Sequence, residues 1–136
     1  MAACASLAGS GVLLAGCGSH AKALSEREVI EGFGKHGIRL SELTRHSGAD
    51  NPLRVTLAPS QSDPQCRPQD LTVNIFTSAD ALKAFLERSQ KRPVRARYVV
   101  GHTDVVMSRN LLVGADERSE CFRSGSVEAA LDELSG

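Results

Sequence analysis

Six short strand-like stretches, arranged as two groups of three and four of them alternating apolar with polar residues, set the strongest limit on the fold of this chain. In the first group Ile38 to Thr44 alternates, then Leu53, Val55 and Leu57 with Arg54 and Thr56, then Leu71, Val73 and Ile75 with Thr72 and Asn74. In the second, Val94, Ala96, Tyr98 and Val100 alternate with Arg95 and Arg97, followed by Val105 to Met107 and Leu111 to Val113. A period of two places every second side chain on one face, the pattern of a half-buried strand. Consecutive strands with short connections pair antiparallel, because a parallel pair needs a crossover of a dozen residues or more.

Helical spacing separates and flanks the two groups. Ser25-Glu26-Arg27-Glu28 fits a capping box, with Val29, Ile30 and Phe33 on one helical face and Gly37 as the stop. Ser78 caps a second helix whose Ala79, Leu82, Phe85 and Leu86 share a face, and Pro93 ends it by Arg92. Val127, Ala130, Leu131 and Leu134 follow the i, i+3, i+4, i+7 spacing of a third. Between these elements, His46 to Pro52, Pro59 to Gln69 and Gly101-His102-Thr103-Asp104 read as turns or loops, and Ser108-Arg109-Asn110 as a hairpin connection. The expected fold is α+β: a small antiparallel sheet of about five to six strands with about three helices covering one face. The order allows a repeated α-β-β-β unit, although the letters of the two halves show no similarity.

Charge divides the chain a second way. All sixteen Lys+Arg and all sixteen Asp+Glu lie from Lys22 onward, so residues 1–21 carry no formal charge. Within that leader Leu7 to Leu14 has the length of a signal-peptide core. A membrane-spanning helix needs about 20 predominantly apolar residues, a length reached here only by counting several Gly and Ser. The run ends in Leu14-Ala15-Gly16-Cys17, then Gly18-Ser19, which resembles the lipobox of bacterial lipoprotein signal peptides. The resemblance implies cleavage between Gly16 and Cys17, diacylglycerol on the Cys17 thiol, and a membrane partner reached through that anchor. It implies a location in the cell envelope, facing outside the cytoplasm. Residues 1–16 are then a signal peptide, 17–24 a tether and 25–136 a single α+β domain. The leader has no Lys or Arg before its apolar run. If it is a signal peptide, the true start therefore lies upstream of Met1.

Cys4 and Cys17 belong to the leader, which leaves Cys66 and Cys121 as the thiols of the body. In the oxidising compartment that the lipobox implies, such a pair most simply forms one disulfide. The loop closed is about 56 residues, worth about 4 kcal/mol in the chain-entropy account.

The remaining motifs are sparse. No nucleophile elbow, phosphate loop, dinucleotide fingerprint, His-Glu-x-x-His or Cys-x-x-Cys occurs, so no catalytic residue, cofactor or metal is expected. Balanced charge removes the basic surplus that nucleic-acid binding needs, and aromatics are only 4%. Arg88, Lys91, Arg92, Arg95 and Arg97 put five cations in ten residues. They are candidate anion-binding residues, or else a helix C-terminus followed by a charged strand face. His102 and Asp104 would share a face if extended, but next to Gly101 they read as turn chemistry. The functional expectation is a lipid-anchored, non-catalytic binding module for an envelope component or protein partner. The alternatives are a small enzyme or ligand-binding protein using the His102/Asp104 region, and a structural envelope tether.

Overall fold

Helix α1 (Glu26–Gly34) starts at the capping box: Ser25 Oγ accepts from the Glu28 N–H and the Glu28 carboxylate accepts from the Ser25 N–H, both at 3.2 Å. It ends where Gly37 takes φ +84°, a left-handed value that glycine reaches without a Cβ clash. The computed structural model describes residues 22–90 and 97–135. After α1 come β1 (Leu40–Arg45), β2 (Leu53–Pro59), a 3₁₀ turn (Pro68–Asp70), β3 (Leu71–Phe76) and α2 (Ala79–Gln90). The second half holds β4 (Arg97–Val100), β5 (Thr103–Ser108), β6 (Leu111–Asp116), a short α3 (Glu120–Arg123) and α4 (Ser126–Ser135).

The strands form one antiparallel sheet in the order β1-β2-β3-β6-β5-β4. Each half contributes a three-stranded meander, and the halves join where Val73 of β3 faces Val113 of β6. The fold is α+β, as the alternation predicts. Strand order also has the two-fold symmetry of a repeated unit, but the helices break it. Leu71, Val73 and Ile75 point to one face with Leu57, Leu111, Val113 and Ala115, and there they meet Val29 and Phe33 of α1 and Val127, Ala130 and Leu131 of α4. Phe76 points the other way and packs with Leu82 and Leu86 of α2, joined by Leu53, Phe85, Met107 and Leu112.

Helices therefore cover both faces, not one. The runs Val105-Val106-Met107 and Leu111-Leu112-Val113 make this necessary, because each puts apolar side chains on opposite sides of its strand. Both β-hairpins of the second half turn on two residues, Gly101-His102 and Arg109-Asn110. Each is shorter than the sequence predicts, so Thr103, Asp104 and Ser108 belong to strands.

Helices α1 and α4 approach closely at Gly32. A Cβ built there would lie 2.7 Å from Leu134 Cδ2 and 2.9 Å from its Cγ. Gly32→Val should destabilise the domain by about 1–3 kcal/mol through overpacking, read as a lower urea midpoint. An unchanged midpoint would show that α4 moves aside at no cost.

Candidate functional site

Arg109 and Asn110 form the tip of the β5–β6 hairpin, and the hydrogen bonds of both side chains converge there. Asn110 is 1% exposed, so its amide must find partners inside the protein. Its Oδ1 accepts from the Leu24 N–H at 2.8 Å, and its Nδ2 donates to Leu24 O at 3.0 Å and Phe76 O at 2.8 Å. The Phe76 N–H in turn donates to Asn110 O at 2.8 Å. Arg109 sits at φ +55°, a left-handed value for a residue with a Cβ. Its guanidinium donates to Lys22 O and, at 3.1 Å, to Leu134 O near the end of α4. Two adjacent turn residues thus hold the first described residues of the chain against the sheet and the last helix. Leu24, at the far end of the expected tether, is 5% exposed and belongs to the core.

The opposite end of the sheet is stapled differently. Cys66 and Cys121 are both 0% exposed, with sulfurs 2.15 Å apart, at disulfide distance, and Cα atoms 5.1 Å apart. They join the 59–70 loop to α3. Asp63 shapes that loop: Oδ1 accepts from the Gln65 and Cys66 N–H groups, while Oδ2 accepts from the Arg39 N–H at 2.6 Å ahead of β1. The Glu117 N–H donates to His102 O at this same end.

Cys17 and Gly16 lie outside the described residues, as do Lys91, Arg92 and Arg95. Arg88 is exposed on α2, and Arg97 opens β4. His102 is exposed on its turn, whereas Asp104 is 3% exposed within β5, on the face that carries Ala115. Exposure thus separates the two. Among the described residues no group of three or more His, Cys, Asp or Glu could hold a metal ion. No described helix is long and apolar enough to cross a membrane.

Three polar features have no counterpart in the sequence reading. His46 Nε2 lies 3.0 Å from Thr56 Oγ1, which donates to Asn74 Oδ1 at 2.8 Å, crossing β2 and β3 on the α2 side of the sheet. An open cleft of about 370 Å³ has Ala23, Leu24 and Ser25 on one wall and Arg54, Val55 and Ile75 on another. Arg45 also borders it, but its guanidinium is committed to Glu26 and Glu42, each at 2.6 Å. Finally, Glu133 of α4 bonds Lys35 Nζ and His36 Nε2, both at 3.0 Å. It therefore ties α4 to the end of α1 instead of lying on a merely solvated face.

No protein-family model, curated protein or solved structure matches this chain. What the site can do is thus argued from its own residues: it fixes the start of the domain at one end and braces a loop at the other.

Asn110→Ala would leave the Leu24 backbone and Phe76 O without their partners. It should lower stability by about 2–4 kcal/mol, seen as a reduced unfolding midpoint with accelerated amide exchange at Leu24. A change within error at both readouts would show that water replaces the amide.

Lys35 and then His36 hold the Glu133 carboxyl below its ordinary value of 4.5. A depressed carboxylate stabilises the folded state above the unfolded value, and that contribution disappears as pH falls through the folded one. The stability gap between the native protein and Glu133→Gln should therefore close as pH falls below about 4.5. Chemical denaturation across that range checks it, and a gap that widens in acid would reverse the assignment.

Proposed function

We propose that this chain is an exported bacterial lipoprotein, anchored through Cys17, whose α+β domain binds an envelope component or protein partner without catalysing a reaction. The observation that carries the reading is the string Leu14-Ala15-Gly16-Cys17 at the end of an uncharged leader. A second feature supports it independently. The two cysteines of the body lie 55 positions apart in sequence and meet at disulfide distance, an arrangement favoured outside the cytoplasm.

The binding part of the proposal draws support from how the polar groups are used. Asn110, Asp63 and Glu133 are spent on holding backbone or neighbouring helices. His102 stands exposed on a turn while Asp104 is buried. A non-catalytic domain needs no more than this: a rigid frame with its loops displayed at the strand ends.

Intact mass spectrometry of the protein from the host membrane fraction tests the reading directly. The expected species begins at Cys17, carries a diacylglyceryl adduct and gains two hydrogens on reduction of Cys66–Cys121. Reduction should also cost about 4 kcal/mol of unfolding free energy, the loop entropy of the cross-link. A full-length, unacylated chain with free thiols would sink the proposal.

A further inference from the structure

The open cleft of about 370 Å³ beside Ala23, Leu24 and Ser25 lies in the size range of small-ligand sites, roughly 300–1,000 Å³. Leu24, Val55, Ile75 and Phe76, all core residues, form its apolar lining. Its frame is fixed by hydrogen bonds to backbone groups. Asn110 holds Leu24, the His46 N–H donates to Arg54 O at 2.8 Å, and the Thr77 N–H donates to Pro52 O at 2.9 Å. The cleft needs no ligand to form.

Two strand pairs break register beside it. The pairing of β1 with β2 shifts between Glu42 and Thr44, and that of β2 with β3 shifts between Leu53 and Val55. The second irregularity falls on Arg54, so strict alternation no longer sends Arg54 and Val55 to opposite faces. Both line the cleft.

Among the residues that line it, only Glu26, Arg45 and Arg54 are charged. Arg45 is saturated: Glu42 accepts from its Nε at 3.3 Å and its Nη2 at 2.6 Å, and Glu26 accepts from Nη2 at 2.6 Å. Two carboxylates share one guanidinium, which leaves a surplus negative charge on the side that carries Glu26. Arg54 is exposed, on the wall it forms with Val55 and Ile75, and has no carboxylate partner among the described residues. Just outside, Glu28 accepts from the Ser25 N–H with Lys22 near it, and Arg27 pairs with Glu31 at 3.5 Å. The cleft is therefore balanced in charge and divided in sign. A simple anion would gain Arg54 but meet the surplus carboxylate, and a simple cation would meet the reverse. A ligand that bears both signs satisfies both walls.

We propose that the cleft binds a zwitterion with an apolar side chain, an α-amino acid or dipeptide, its ammonium at Glu26, its carboxylate at Arg54 and its side chain on the apolar lining. The planar fork of a guanidinium matches the two oxygens of a carboxylate. This rests on the reading of the domain as a binder and supplies its ligand class, while Cys17 has no part in it.

L-leucine and L-leucyl-L-leucine are titrated into the isotope-labelled full chain near neutral pH, followed by amide chemical shifts. N-acetyl-L-leucine, which lacks the ammonium, and L-leucinamide, which lacks the carboxylate, are titrated alongside. Shifts are expected at Ala23 to Ser25, Val55 and Thr77. The better zwitterion should bind about tenfold more tightly than either blocked compound, the size of one hydrogen bond to a charged group. Leucine and the dipeptide differ in the distance between their charges, so their order reports the span between Glu26 and Arg54. Arg54→Gln should erase the preference over leucinamide and keep that over N-acetyl-leucine, and Glu26→Gln should do the opposite. A general disturbance of the fold does not produce that reciprocal pattern. Blocked compounds that bind as tightly as the zwitterions, or preferences unchanged in both variants, overturn the proposal. So does the absence of shifts from all four compounds at millimolar concentration, an outcome that leaves the lipoprotein reading to its mass spectrum.

Discussion

One buried side-chain amide organises this domain. Asn110 accepts from Leu24 and donates to Leu24 and Phe76, so a single residue joins the start of the chain, the end of a central strand and the tip of a hairpin. Both side-chain amide hydrogen-bonding ends of Asn110, Nδ2 and Oδ1, have partners, which is the condition under which a buried polar group specifies a structure instead of destabilising it. The position of α1 follows from it, because Leu24 immediately precedes the Ser25 cap. The α1–α4 contact at Gly32 and the Glu133 bridge then follow from the position of α1.

Alternation and helical spacing carried most of the fold. The capping box at Ser25, the strands around Leu57, Val73 and Val113, and the helix from Val127 to Leu134 all read directly from residue order, because each element buries one face and that burial imposes its period. The placement of α2 did not read so easily. Its apolar face looks like any other, and only the doubled apolar residues Val105-Val106 and Leu111-Leu112 say that the sheet has two covered sides.

The candidate site was legible in unequal parts. Cys66 and Cys121 could be paired once a compartment was inferred, since only two thiols remained in the body. Asn110 and Asp63 could not be singled out, because a short polar residue in a turn gives the same letter whether it caps a loop or faces water. What separates them is burial and a partner many residues away: for Asn110 and Leu24 the separation is 86 positions.

That separation has a bearing on biogenesis. A chain that leaves the ribosome or crosses a membrane N-terminus first delivers Leu24 long before Asn110, and His36 long before Glu133, 97 positions later. Its early helix and first meander cannot close their shared core until nearly the whole length has emerged. The architecture therefore delays its own completion, and a translocating chain of this design stays threadable until its last helix arrives.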